Sequence, residues 1–172
     1  MTDITSPVPE PAAGARAPGV SRAIYGMPMF ATLAARDIGA TVSWYTGGLD
    51  FIELFTVPGP EGGPVLVHLR RWQFQDLLVR PAHEPVTPGN GCMLSFAAVY
   101  GEIDALAERA RAHGGGRVEG PADTPWNTRD LTTTDPDGNL VIFTAARPPG
   151  RTDPAFSERM RRWSSEQGMP GR

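Results

Sequence analysis

The sequence contains a single cysteine, Cys92, so no disulfide bond can form within the chain. This cysteine usage fits a reducing compartment. No stretch approaches the roughly 20 apolar residues that a membrane-spanning helix needs. The first residues also lack the basic and apolar regions of a secretory signal peptide. Together these absences predict a cytoplasmic protein that makes no membrane contact.

The chain also has little net charge, −3 over 172 residues, and it has no basic stripe interleaved with aromatic side chains. A nucleic-acid-binding surface is therefore not expected. Hydrophobic residues make up 40% of the sequence, which is enough for an ordinary core. Cys92 begins an apolar run, where a buried structural thiol is a better interpretation than a nucleophile.

Proline, alanine and glycine dominate residues 1–22, which predicts a flexible or loosely docked N-terminal arm. Residues 23–146 are predicted to form the ordered domain, and residues 147–172 a linker and a short helix. Asp153 is the expected N-cap of that helix, and Gly168 its end. An apolar stripe of Phe156, Met160 and Trp163 would pack on the domain or on a second subunit, or would cover a cleft.

Within the domain, the pattern of one strand, one helix and three strands occurs twice, in modules at about 28–82 and 90–146. In the first module, strands are predicted at 30–35, 51–57, 65–70 and 74–80, with a helix capped by Asp37 and ended by Gly47 and Gly48. In the second, strands are predicted at 93–99, near 117–119, at 130–134 and at 140–145, with a helix at 102–113. Neither module can cover its own sheet alone, so the two are expected to pair.

Three segments carry a family resemblance: Trp-Tyr-x-x-x-Leu-Asp-Phe at 44–51, Pro125-Trp126, and Asp-Pro-Asp-Gly-Asn at 135–139. With the order of elements, they make residues 28–146 resemble the vicinal oxygen chelate superfamily. That superfamily includes glyoxalase I, extradiol dioxygenases and bleomycin-resistance proteins, and the chain looks most similar to the metal-free bleomycin-resistance-like branch. The resemblance implies an α+β fold in which two βαβββ modules form one domain with a concave sheet cleft.

The resemblance implies that, in metal-dependent relatives, the metal ligands come from the first and last strands of each module. The matching positions here are Phe30, a residue within 77–79, Leu94 or Ser95, and Ile142. None of them is His, Glu, Asp or Cys, the donors that zinc, nickel or iron needs. No metal and no cofactor are therefore expected.

The same alignment predicts which side chains line the cleft. If Phe30 and Ile142 face inward, alternation along the strands also turns four further side chains inward, namely Thr32, Ala34, Leu140 and Thr144. Their neighbours Ala31, Leu33, Val141 and Phe143 would pack under the helices. The predicted cleft is apolar with a few hydroxyl groups, which suits an organic ligand.

Other candidate ligand contacts each have a structural alternative. Trp126 offers an aromatic face to a flat ligand or anchors a sheet edge. Trp72 and Phe74, at a strand turn, form an aromatic wall or pack at an edge or subunit contact. Arg129 orients a ligand anion or pairs with Asp130 or Asp135. His68 is an acid–base group if it faces inward, although a half-exposed strand position is the favoured interpretation.

The leading hypothesis is metal-independent binding of a small aromatic or amphipathic molecule, which would include antibiotic sequestration, with no catalytic residues. The alternative is a lyase, isomerase or dioxygenase with a non-standard or absent metal site, for which His68, Glu53 and Arg129 are the residues to test. A third hypothesis is a scaffold whose C-terminal helix docks a partner. The resemblance also implies a homodimer.

Overall fold

The computed structural model describes residues 17–27, 29–84 and 93–166, which form two modules of the same design. The first contains β1 (Ala31–Ala35), α1 (Ile38–Ser43), a π-helical turn (Trp44–Gly48), β2 (Ile52–Pro58), β3 (Pro64–Arg70) and β4 (Asp76–Pro81). The second contains β5 (Met93–Ala97), α2 (Ile103–His113), β6 (Arg117–Asp123), β7 (Thr128–Thr134) and β8 (Leu140–Ala146). A 3₁₀ turn (Pro149–Arg151) and α3 (Pro154–Glu166) follow.

Each module forms a four-stranded sheet with the same topology. The strand orders are β1-β4-β3-β2 and β5-β8-β7-β6. The first strand of each module pairs in parallel with the last, and the other pairs are antiparallel. A parallel pair needs a long crossover, which the helix and the two intervening strands provide. The predicted α+β fold of two βαβββ modules is confirmed.

Several element boundaries differ from the sequence prediction. Phe74 has a φ of 63°, a left-handed conformation that a strand does not use, so β4 begins at Asp76 rather than at residue 74. Strand β5 ends at Ala97, before the predicted residue 99. Strand β6 continues to Asp123, well beyond the predicted residue 119. Turn geometry, which residue type does not specify closely, accounts for the first difference.

One hydrophobic core spans both modules. Leu33, Val141 and Phe143 are buried in it, as alternation along β1 and β8 predicted. The rings of Phe51 and Phe96 lie 5.5 Å apart edge to face, and Phe96 lies 5.9 Å from Phe143, so aromatic contacts cross from one module to the other. The shared core explains how each module covers apolar surface that the other would leave in water.

Trp44 is 1% exposed and fixes how closely the π-helical turn approaches the second module. A Cβ atom on Gly116 would lie 2.6 Å from Trp44 Cζ2 and 2.5 Å from the carbonyl oxygen of Thr134. Only glycine fits this contact without a shift of the indole or the strand. Trp44 is therefore a core residue.

The Asp135–Asn139 turn connects the two modules through buried carboxylates. Asp135 Oδ1 accepts hydrogen bonds from the backbone nitrogens of Asp137 (3.0 Å) and Asn139 (2.8 Å), which closes the turn. Asp137 reaches across to the first module, where it accepts from Arg36 N at 3.0 Å and Thr41 Oγ1 at 2.8 Å. The turn therefore holds the two modules together and also connects β7 to β8.

Tyr45 extends this network into the core. Its hydroxyl is buried and donates to Asp135 Oδ2 at 3.1 Å. Burial, and after it the negative charge of Asp135, raises the pKa of Tyr45 well above 10.0. Both effects oppose a phenolate in the folded protein.

The shifted pKa predicts a loss of stability in alkali. The unfolded chain releases the Tyr45 proton near pH 10, whereas the folded chain retains it. The contribution is therefore fully present below pH 10 and declines as the pH rises above it. Urea unfolding between pH 9 and 11 should show a shallower decline for Tyr45→Phe than for the unsubstituted protein. Parallel declines in the two proteins would contradict this assignment.

The described part of the N-terminal arm is docked on the first module. Arg70 Nη1 donates to the carbonyl oxygens of Ser21 (2.9 Å) and Ala23 (2.6 Å). The ring of Tyr25 lies 4.1 Å from the guanidinium carbon of Arg70, within the range of a cation–π interaction. Residues 1–16 of the arm lie outside the described residues, as do the linker at 85–90, Cys92 and Gly168.

Asp153 caps α3, as predicted, because its Oδ1 accepts from Ala155 N at 2.9 Å. Asn127 holds the start of the helix: its Nδ2 donates to Ser157 Oγ at 3.0 Å, and its Oδ1 accepts from Asp153 N at 2.6 Å. Trp163, farther along α3, remains 49% exposed. Across the described segments, no helix is both long and apolar enough to cross a bilayer.

Candidate functional site

Each sheet has one face packed under the helices and one face that they leave uncovered. On the uncovered face of the first module, Thr32, Leu78 and His68 lie side by side on neighbouring strands. On that of the second, Ser95, Ile142 and Thr132 do the same. We call these two surfaces the open faces. Alternation along the strands puts their residues opposite the buried set that includes Leu33 and Phe143.

A cavity of about 310 Å³ lies where β1 and β5, the edge strands of the two sheets, come close. Its wall is formed by residues 29–31, 74–76 and 93–97. The side chains of Phe30 and Phe74 are each 53% exposed, and Met93 is 59% exposed. Gln75, Asp76 and Ser95 supply the polar side chains of the wall. The cavity thus combines exposed apolar surface with a few polar groups.

The structure brings some of the predicted ligand contacts together and separates others. Phe30 and Phe74 line the cavity. Thr32 shares the open face of the first module, and Leu140, Ile142 and Thr144 share that of the second. The hydroxyl of Thr144 is already engaged, because it donates to Asp130 Oδ1 at 2.6 Å.

The two predicted tryptophans lie away from the cavity wall. Trp72 is 7% exposed, and the guanidinium carbon of Arg71 lies 4.3 Å from its ring, so little of the indole is left for a ligand. Trp126 is 42% exposed in the turn between β6 and β7. Of the predicted aromatic wall, Phe74 is the member that faces the cavity, and its ring contacts Tyr25 of the arm edge to face at 5.4 Å.

Arg129 lies on the helix-covered side of β7 and forms ion pairs there. Its Nη2 donates to Asp104 of α2 at 2.8 Å, and its Nη1 donates to Asp123 of β6 at 2.9 Å. The hydrogen bond to Asp104, and after it the one to Asp123, raises the pKa of Arg129 above its ordinary value. The partners suggested from sequence, Asp130 and Asp135, are therefore wrong, because the fold brings Asp104 and Asp123 to this side chain instead.

His68, favoured from sequence as a half-exposed strand position, belongs to a charged network on the open face. Its Nε2 lies 2.5 Å from Asp76 Oδ1. Arg70 holds the same carboxylate with Nε at 2.9 Å and Nη2 at 2.7 Å from Oδ1. Arg70 and Asp76 are almost fully buried, whereas the His68 side chain is 18% exposed. Asp76 also lines the cavity, which places this network beside it.

Arg71 is a buried cation at the seam between the modules. Its Nη1 donates to Ala97 O of β5 at 2.8 Å and to Gln75 Oε1 at 3.1 Å. The ring of Phe143 lies 5.0 Å from its guanidinium carbon. Desolvation by burial lowers the pKa of Arg71 to about 10. These contacts tie the β3–β4 turn to β5 and so help to shape one wall of the cavity.

The open faces do not fit a transition-metal site. On the strands that carry the ligands in metal-dependent relatives, Thr32 lies beside Leu78 and Ser95 lies beside Ile142, which gives two hydroxyls and two hydrocarbons. The carboxylate of Asp76 on β4 is already held by Arg70 and His68. Within residues 17–27, 29–84 and 93–166, no group of three or more His, Cys, Asp or Glu side chains is placed to hold a metal ion. Neutral hydroxyls alone are poor ligands for these metals.

The sequence profile of the Glyoxalase/Bleomycin resistance protein/Dioxygenase superfamily matches residues 29–143, which include both modules. The chain belongs to this superfamily. None of the curated proteins is a significant match to it. The glyoxalase-like fold of this superfamily agrees with the two βαβββ modules described above.

Solved structures of this superfamily's fold include three informative neighbours. TioX from Micromonospora sp. ML1 is 26% identical, with a TM-score of 0.55, over 70% of this chain and 99% of TioX. TnmS3, an antibiotic binding protein from Streptomyces sp. CB03234, is 24% identical, with a TM-score of 0.53, over 72% and 98%. The fosfomycin resistance protein FosX from Listeria monocytogenes, in complex with Mn(II) and sulfate, is 15% identical, with a TM-score of 0.56, over 72% and 94%.

Proposed function

We propose that this protein binds a small aromatic or amphipathic organic molecule without a metal ion. The observation that carries the proposal is the cavity of about 310 Å³, with Phe30, Phe74 and Met93 exposed at its wall. Pockets of roughly 300 to 1,000 Å³ that are mostly apolar, with a few placed polar groups, are typical of organic ligands. Burial of about 100 Å² of apolar surface contributes roughly 2.5 kcal/mol before the costs of binding are subtracted.

In this proposal the ligand stacks against Phe30 and Phe74 and extends along the open faces. Thr32 and Ile142 would contact it next, and Leu140 and Thr144 would lie farther along β8. Trp126 would be reached only by a ligand that extends to the β6–β7 turn. Trp72 and Arg129 would support the fold rather than contact the ligand. Arg71 covers the indole of Trp72, and Asp104 and Asp123 form ion pairs with Arg129.

Antibiotic sequestration is the form of binding that the relatives favour. The superfamily description includes bleomycin resistance proteins, and TnmS3 is described as an antibiotic binding protein. Sequestration requires complementary surface and a few polar contacts but no chemical step. The hydrocarbon and hydroxyl side chains at Thr32, Leu78, Ser95 and Ile142 support such a role better than metal-dependent catalysis.

Calorimetry on the chelator-treated full chain tests the proposal. An anthracycline, a tetracycline and a bleomycin serve as probes, each titrated with and without added Zn²⁺ or Mn²⁺. We expect at least one to bind with a micromolar or tighter Kd, about −8 kcal/mol, and to bind equally well without metal. If none of the three binds, or if binding appears only with the metal, the proposal fails.

We also propose that the protein is a homodimer, as the family resemblance implies, and that it is cytoplasmic, as its cysteine usage suggests. Ile24 in the arm is 70% exposed and Val65 on β3 is 42% exposed, so apolar surface outside the cavity remains for a second copy to cover. Light scattering on the full chain measures the mass, and a monomer at micromolar concentration would contradict the dimer.

A further inference from the structure

We propose that His68 is the polar recognition group on the open face of the first module, beside the cavity, and that it selects ligands carrying an acidic aromatic hydroxyl, as phenols and hydroxyquinones do. This inference rests on the proposed function and specifies the class of ligand that extends from the cavity along this open face. It depends on the hydrogen bonds that fix the imidazole, on the nitrogen left free, and on the side chains around it.

The neighbours of His68 determine which ring nitrogen carries the proton. An ionised carboxylate can only accept hydrogen bonds, so His68 Nε2, 2.5 Å from Asp76 Oδ1, must be the donor. Arg70 donates to both oxygens of Asp76, to Oδ1 from Nε at 2.9 Å and to Oδ2 at 3.1 Å. Arg70 is in turn fixed by the carbonyl oxygens of Ser21 and Ala23. The carboxylate therefore cannot turn away, and the imidazole is held in one orientation.

With Nε2 as the donor, Nδ1 of a neutral His68 carries a lone pair and acts as an acceptor. Among the described residues, Nδ1 has no hydrogen-bond partner, and the side chain keeps 18% of its surface exposed. A partly buried acceptor gains most from a ligand that donates to it. A hydroxyl can donate, whereas the matching methyl ether cannot.

The side chains around His68 favour an aromatic donor. On the neighbouring strands, Phe55 and Leu78 are its register partners, and Thr32 lies beyond Leu78. Phe55 is 60% exposed, which leaves a ring face for a flat ligand. Arg80 lies two residues beyond Leu78 on β4, on the same face by strand alternation. The charges of Arg70 and Asp76 balance each other, so the positive charge of Arg80 remains. This charge favours a ligand hydroxyl that becomes partly anionic.

A matched pair of ligands tests the inference: 2-hydroxyanthraquinone and 2-methoxyanthraquinone, which share the ring system and differ in the donor. In calorimetry with the full chain, we expect the hydroxyl compound to bind about three- to tenfold more tightly. In His68→Phe this preference should fall to about one, with the affinity for the methoxy compound retained. His83→Gln, an exposed histidine beyond β4, is the control and should keep the preference.

The outcomes separate the two proposals. Equal binding of both compounds to the unsubstituted protein overturns the role of His68 and leaves the binding function intact. A preference that survives in His68→Phe also overturns it, because another group must then accept the hydroxyl. If neither compound binds, the proposed function loses support and the inference falls with it. If His68→Phe does not fold, His68→Leu takes its place in the same comparison, and a ratio near one on the unsubstituted protein overturns the inference without any variant.

Discussion

Replacing Asp137 by alanine is expected to lower the free energy of unfolding by about 2 to 4 kcal/mol, the range for breaking a buried, hydrogen-bonded carboxylate contact. The Asp137 side chain is 2% exposed and joins the second module to Arg36 and Thr41 of the first. Without it, the hydroxyl of Thr41, a residue that is 1% exposed, loses its acceptor. Urea unfolding at neutral pH measures the change.

Glu61→Ala is the matched control for this prediction. Glu61 is an exposed carboxylate in the β2–β3 turn, so its removal changes the net charge equally without touching the contact between modules. We expect the control to unfold like the unsubstituted protein. A loss below about 1 kcal/mol for Asp137→Ala would contradict the assigned role of Asp137 in holding the modules together.

Much of the fold could be predicted because its signals are local. The alternation of Leu33 with Thr32, and of Phe143 with Ile142, gives both the strands and their buried faces, since the side-chain period of a strand is two. Asp37 accepts from Ala40 N at 3.0 Å, so the predicted start of α1 is confirmed. Local chemistry of this kind does not depend on the rest of the chain.

The charged contacts could not be predicted, because they join residues that the fold brings together from distant or staggered positions. Arg129 meets Asp104, 25 residues away, only because α2 packs over the second sheet. His68 and Asp76 are eight residues apart and meet because β3 and β4 pair in one register. Register depends on the turn between the strands, where Phe74 adopts its positive φ.

These contacts change the picture of the cleft that the sequence suggested. The predicted wall consists of hydrocarbon and hydroxyl side chains, and Phe30, Thr32 and Ile142 remain in the proposed ligand contacts. Beside that wall lies an Arg70–Asp76 pair that leaves His68 partly exposed. A wall of hydrocarbon alone would favour any flat ligand that fits. The fixed imidazole of His68 next to this wall would let the protein discriminate among ligands of equal shape by their hydrogen-bond donors.

Filling the cavity should abolish binding without disturbing the fold. Ser95 is exposed on β5 and lines the cavity together with Phe30 and Phe74, so an indole introduced by Ser95→Trp would take up part of the cavity. We expect the affinity for any probe that binds the unsubstituted protein to fall at least tenfold, about 1.4 kcal/mol or more, with little change in the unfolding midpoint.

Ser95→Ala and Glu108→Trp complete this experiment. The alanine variant removes the hydroxyl but leaves the space, so binding within about threefold of the unsubstituted protein would show that the lost volume causes the effect. Glu108→Trp places the same indole on the exposed side of α2, away from the cavity, and should bind normally. Undiminished binding by Ser95→Trp would contradict this cavity as the ligand site.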